Sequence, residues 1–149
     1  MSTLLIIIAV LIVLAFAAIY WQNAQVPNLG VRDGKLAPLS SKPNNVSTQT
    51  DVAEKKVEPL PFKDTTENTM FAIKRAVEAY GGGEIKEETD TYLYVVFTTS
   101  LMKYHDDAEF WLDTDNQVVH FRSASRAGRS DLGLNRTRYE TLTELYKQQ

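Results

Sequence analysis

From Leu4 to Trp21 the chain carries no charged and no amide side chain. At about 1.5 Å of helical rise per residue this run reaches roughly 27 Å, close to the ~30 Å hydrocarbon core of a bilayer. Tyr20 and Trp21 close it, as aromatic rings do at a headgroup interface. A helix apolar on every side needs a core that surrounds it, and a chain of 149 residues has none to offer. The stretch 1–21 therefore reads as a transmembrane anchor. A cleaved signal peptide is the competing reading, since Ala15-Phe16-Ala17 fits an Ala-x-Ala cleavage pattern. The run has no basic residue before it and stays apolar through Trp21, which favours the anchor. Arg32 and Lys35 follow the span, and by the positive-inside rule they place the rest of the chain in the cytoplasm.

All 16 basic and 19 acidic residues lie after Trp21, so the remainder carries the whole formal charge of −3. That balance excludes bulk nucleic-acid binding, which needs a positive field against phosphates. The chain has no cysteine, which excludes disulfides, thiol catalysis and a lipoprotein anchor.

All five prolines fall between Pro27 and Pro61, with glycine, serine and asparagine among them. Residues 22–42 read as a flexible linker and residues 43–149 as one small domain. Val46 to Thr50 and Val57 to Leu60 suit short edge strands, Pro59 being unable to donate to a central ladder. Asn45-Val46-Ser47 and Asn135-Arg136-Thr137 match the glycosylation acceptor pattern, which chance supplies often.

Asp64-Thr65-Thr66-Glu67 reads as an N-cap with a capping-box glutamate. Met70, Ile73, Val77 and Tyr80 continue at helical spacing until Gly81-Gly82-Gly83 stops the helix. Glu84 to Glu88 and Thr91 to Thr99 read as strands, the second apolar on both faces and so central. Asp107 to Asp113 and Val118 to Ser125 alternate as a hairpin around a two-residue turn at Asp115-Asn116. That register sets Phe110 against Phe121, Trp111 against His120 and Glu109 against Arg122. Asn135 reads as the cap of a last helix to about Lys147. The expected class is α+β: an N-terminal membrane helix, then a three- or four-stranded antiparallel sheet with two helices on one face.

Arg122-Ser-Ala-Ser-Arg126-Ala-Gly128, then Ser130-Asp131-Leu-Gly133-Leu-Asn135-Arg136, is the densest polar stretch. With Asp106-Asp107-Ala108-Glu109-Phe110 it resembles the signature of the family called domain of unknown function 1499. Val46-Ser47-Thr48-Gln49 resembles that family's N-terminal motif, with Thr48 in place of serine, and Pro59-Leu60 suits the segment that follows. The resemblance covers about Pro43 to Leu145. It implies an extracytoplasmic or membrane-associated domain, periplasmic in a bacterium, and outweighs the two charges that argue for the cytoplasm. It implies no activity.

Three readings of the polar stretch follow. In the first, Arg122, Arg126 and Arg136 pair internally with Asp106, Asp107, Glu109 and Asp131, and the domain is a structural or protein-interaction module. In the second, Arg122, Ser125, Arg126, Ser130, Asp131, Asn135 and Arg136 form a pocket for an anionic small molecule or lipid headgroup. In the third and weakest, Asp106, Asp107 and Glu109 serve a hydrolase-like or metal-dependent reaction. Asp106 and Asp107 are neighbours on a strand and face opposite sides, which weighs against it. No dinucleotide, P-loop or nucleophile motif is present, and no cofactor or metal ligand set is expected.

Overall fold

The structure, a computed structural model, describes residues 3–149. Residues 1 and 2 of the stretch 1–21 read as the anchor lie outside the described residues. Helix α1 spans Thr3–Ala24, and none of its residues is buried by the rest of the chain. It is the one helix among the described residues long and apolar enough to cross a membrane, and a signal sequence fits the same description.

Seven further elements make a single antiparallel sheet with two helices, and an eighth, strand β2, joins the sheet at one edge. Strands β1 (Asn45–Ser47) and β2 (Leu60–Pro61) precede helix α2 (Thr66–Tyr80). Strands β3 (Gly83–Glu88), β4 (Tyr92–Thr98), β5 (His105–Asp113) and β6 (Val118–Ser125) precede helix α3 (Leu134–Lys147). The sheet runs β1-β6-β5-β4-β3, with β2 also on β6. It has six strands, against the three or four expected. The additional strands are β1 and β2, which overlap the two stretches read as short edge strands, Val46 to Thr50 and Val57 to Leu60, and are shorter than either. They take successive stretches of one edge of β6, at Arg122–Ala124 and Val118–Val119.

The hairpin register holds: Phe110 pairs with Phe121, Trp111 with His120 and Glu109 with Arg122. Its turn differs from the two-residue form. The ladder ends at Asp113 and Val118, and Gln117 takes a left-handed φ of 56°. Asp113 Oδ1 accepts from the Asn116 amide at 3.1 Å and fixes this wider loop.

Helix α2 is capped by Thr65, whose hydroxyl accepts from Asn68 N at 3.0 Å, one residue later than Asp64. Helix α3 starts after Gly133, at φ 80°, so Asn135 lies inside the helix and does not cap it. Asp131 does that work. Its carboxylate accepts from Gly133 N at 3.0 Å and Asn135 N at 2.8 Å.

Both helices pack on one face of the sheet. Ile73 and Val77 of α2 and Tyr139, Leu142 and Tyr146 of α3 meet Leu93, Val95, Phe97, Phe110 and Phe121. Phe121 stacks on Tyr139 with ring centres 4.2 Å apart. The opposite, outer face has its own cluster, in which Leu36 packs with Tyr92, Tyr94 and Val96, flanked by Leu29, Val31 and Trp111. Residues of the linker stretch thus lie across the outer face. This is why β4, held between β3 and β5, is apolar on both sides. Gln49 clamps the crossing segment, accepting from Leu36 N at 2.9 Å and donating to Gly34 O at 3.1 Å.

Candidate functional site

Alternation along β5 divides the acidic residues between two layers. Asp107 and Glu109 face outward, and Asp106 faces the helices. Each carboxylate meets a different arginine.

On the outer face the arrangement repeats two residues apart. Tyr92 Oη donates to Glu109 Oε1 at 2.8 Å, and Gly30 N donates to the same oxygen at 2.8 Å. Arg122 Nη1 reaches Glu109 Oε2 at 3.4 Å, and its Nη2 reaches Pro38 O at 3.4 Å. One step along, Tyr94 Oη donates to Asp107 Oδ1 at 2.5 Å. Arg126 grips Asp107 as a fork, Nε to Oδ2 at 2.9 Å and Nη2 to Oδ1 at 2.8 Å. Its Nη2 also donates to Tyr94 Oη at 3.1 Å, and its Nη1 to Asn23 O at 3.2 Å. The Asp107 bonds hold the Arg126 guanidinium above its ordinary pKa. Burial first, then the Asp107 hydrogen bond, pushes Tyr94 up to about 12. Burial and the Glu109 charge raise Tyr92 in the same sense.

On the inner face Arg138 Nη2 donates to Asp106 Oδ2 at 2.7 Å, both side chains buried. The Arg138 guanidinium lies 4.6 Å from the Phe97 ring centre. Asn135 joins three segments. Its amide nitrogen donates to Asp131 Oδ2 at 2.7 Å, Ser125 Oγ at 2.9 Å and Asn44 O at 3.2 Å. Its oxygen accepts from the Ser123 hydroxyl and from Arg138. Asn45 and Asn135, the two acceptor-pattern asparagines, are both buried, so neither is open to glycosylation in this fold.

The remaining residues of the stretch lie elsewhere. Arg136 Nη2 donates to Glu54 O at 2.7 Å and Lys56 O at 3.1 Å. Ser130 Oγ accepts from Leu132 N at 3.2 Å within its own loop. The ten candidate residues therefore divide into an outer set (Glu109, Arg122, Asp107, Arg126), an inner set (Asp106, Ser125, Asp131, Asn135), and Ser130 and Arg136 apart from both. Arg138, Tyr92, Tyr94 and Asn44 were missed from the sequence. Arg138 had a signal: two adjacent strand carboxylates need partners on opposite faces, and Arg138 lies one helical turn after Asn135.

Among the described residues no group of three His, Asp or Glu side chains is placed to hold a metal ion. Two clefts lie near the network. The larger, about 880 Å³, is lined by Arg32, Lys35, Lys55, Ser40 and Ser47. The smaller, about 180 Å³, lies between the β4–β5 and β6–α3 loops and includes Asp106, Ser125, Ser130 and Asp131.

The protein family described as "Protein of unknown function (DUF1499)" matches residues 35–145. The chain belongs to that family. The DUF1499 span holds all three arginine–carboxylate pairs and the six strands, while Gln22, Asn23 and Gly30 precede it. No curated protein and no solved structure matches this DUF1499 chain.

Proposed function

We propose that this DUF1499 chain is a single-pass membrane protein whose extracytoplasmic domain is an interaction module set at a fixed attitude to its helix. The supporting observation is where the arginines end. Arg122, Arg126 and Arg138 bond to the chain's own carboxylates, and Arg136 to its backbone carbonyls. Guanidinium groups so engaged serve the architecture, and the helix N-terminus that would attract an anion already holds Asp131. Arg126 extends the lattice to Asn23 O in the last turn of α1, so helix and domain are joined by direct bonds.

Topology is testable because the chain lacks cysteine. Asn116→Cys, in the exposed hairpin turn, is expected to react with a membrane-impermeant maleimide on intact cells. Labelling only after lysis would reverse the sidedness.

A second reading has its own observation. The larger cleft gathers Arg32, Lys35 and Lys55 against the single acid Asp51 in a chain of net charge −3. Such a cleft suits an anionic small molecule. A ligand at about 100 times its Kd adds roughly 2.7 kcal/mol to folding stability. Titrating inorganic phosphate and citrate against the unfolding midpoint of the full chain separates the readings. The module reading expects no shift. A saturating rise that Lys35→Ala removes would establish the cleft as a site.

A further inference from the structure

Outside α1, the large apolar side chains left exposed among the described residues are Val26, Val52, Phe71, Ile85, Leu101, Met102 and Leu132. Single exposed residues such as Phe71 need no explanation. Four of the seven differ, because they gather at one place, the end of α1.

The hydrogen bonds fix that place. Asn23 Nδ2 donates to Lys103 O at 2.6 Å, and Asn23 Oδ1 accepts from His105 N at 2.8 Å. Gln22 Oε1 accepts from Gly128 N at 3.2 Å. The last turn of α1 is thereby tied to the β4–β5 loop, which carries Leu101 and Met102, and to the β6–α3 loop, which carries Leu132. The two loops also share the smaller cleft, where Thr99 and Tyr104 face Gly128, Ser130 and Leu132. Val26 stands two residues beyond the end of α1.

Depth follows from helix length. The 22 residues of α1 rise roughly 33 Å, against ~30 Å of hydrocarbon. With Tyr20 and Trp21 at the interface, Gln22 and Asn23 lie among the headgroups. Backbone bonded to them lies at the same depth. Leu101 is 87% exposed and Leu132 is 96% exposed. Leu132 is moreover held at a left-handed φ of 54°, a conformation leucine rarely adopts. No packing among the described residues covers its side chain to account for it. Lys103 and Arg129, both exposed, stand in the same two loops at a level suited to lipid phosphates.

We infer that the β4–β5 and β6–α3 loops form a second contact with the bilayer, with Leu101, Met102 and Leu132 entering the boundary between headgroups and acyl chains. This rests on the single-pass reading. The contact is of the interfacial kind, apolar residues shallowly inserted beside basic ones. It holds the domain against the membrane surface beside the helix.

The test uses the full chain in vesicles of phosphatidylcholine and phosphatidylglycerol. An environment-sensitive fluorophore is placed on single cysteines in the cysteine-free background, at Leu101→Cys and Leu132→Cys. Leu11→Cys reports the span and Asn116→Cys the far end of the hairpin. Quenching by phosphatidylcholine spin-labelled near its headgroup is read at the two loop sites and at Asn116→Cys, and quenching by phosphatidylcholine spin-labelled deep in its acyl chain is read at Leu11→Cys, which lies mid-span. Quenching at both loops, with none at Asn116→Cys, is the expected result. Both loops, or either one, reading like Asn116→Cys while Leu11→Cys is quenched would overturn the loop contact and leave the anchor standing. An unquenched Leu11→Cys would instead overturn the single-pass reading, and the loop contact with it.

Discussion

Arg126 and Asp107 meet in a two-point fork, 2.9 and 2.8 Å, although they are not paired across the ladder. Asp107 is registered with Ala124, and Arg126 reaches back from just past the end of β6. The contact ties the loop that leads into α3 to the middle of the sheet. Removing Arg126 strands a buried carboxylate, and breaking such a pair typically costs about 3–5 kcal/mol. Arg126→Ala is expected to lose that much in chemical unfolding of the full chain in detergent. Arg126→Lys keeps the charge without the fork and should fall between the two. An unchanged midpoint for Arg126→Ala would show that the residue is held for something besides folding.

The hairpin was legible because two strong local signals agree there. Strict alternation fixes which side chains share a face, and Asp115-Asn116 marks the reversal. Helix α2 was legible for the same reason. The cap of α3 was not, since Asp131 and Asn135 are both capping types, and the left-handed Gly133 between them decides in favour of Asp131. The outer-face cover escaped notice because Leu29, Val31 and Leu36 stand among glycines and prolines with no period. Half of the polar network was legible as chemistry but not as geometry. Strand alternation separates Asp106 from Asp107, yet only the helix packing brings Arg138 to the inner one.

Asp106 and Arg138 offer the sharpest contrast between pairing and burial. Both are almost wholly enclosed. Arg138→Met alone leaves Asp106 without its cation and should cost about 3–5 kcal/mol. Arg138→Met with Asp106→Leu removes both charges beside Phe97, where a thioether packs well. The double variant is expected to recover most of the loss, measured as a double-mutant cycle of urea midpoints. Simple addition of the two single effects would show that the residues act independently.

His120 should make folding sensitive to mild acid. Its ring stacks on Trp111 at 5.2 Å, accompanied by Thr48 at 3.1 Å and Asp113 at 3.6 Å. Burial lowers its pKa below the ordinary 6.5, and the Asp113 charge only partly opposes this. The folded state then binds a proton less readily than the unfolded state, so stability is full above the unfolded value. It falls as the pH drops below 6.5, and the fall ends beneath the folded pKa. Unfolding midpoints between about pH 7.5 and pH 5 should decline, and His120→Gln should flatten the imidazole's share. An equal slope in the variant would assign the decline to other groups.

Leu36 decides whether the segment crossing the outer face is part of the folded unit. It is 5% exposed, seated against Tyr92, Tyr94 and Val96, with its amide held by Gln49. A leucine in a freely moving tether would add nothing to stability. A leucine that seals a second cluster should behave as a core residue, where truncation to alanine costs about 2–5 kcal/mol. Leu36→Ala is therefore expected to lower the unfolding midpoint of the full chain. Gln49→Ala, which frees the clamped backbone without touching the cluster, should lower it less. If neither substitution moves the midpoint, residues 28–40 act as a linker in solution, and the outer face of β4 is open to a partner.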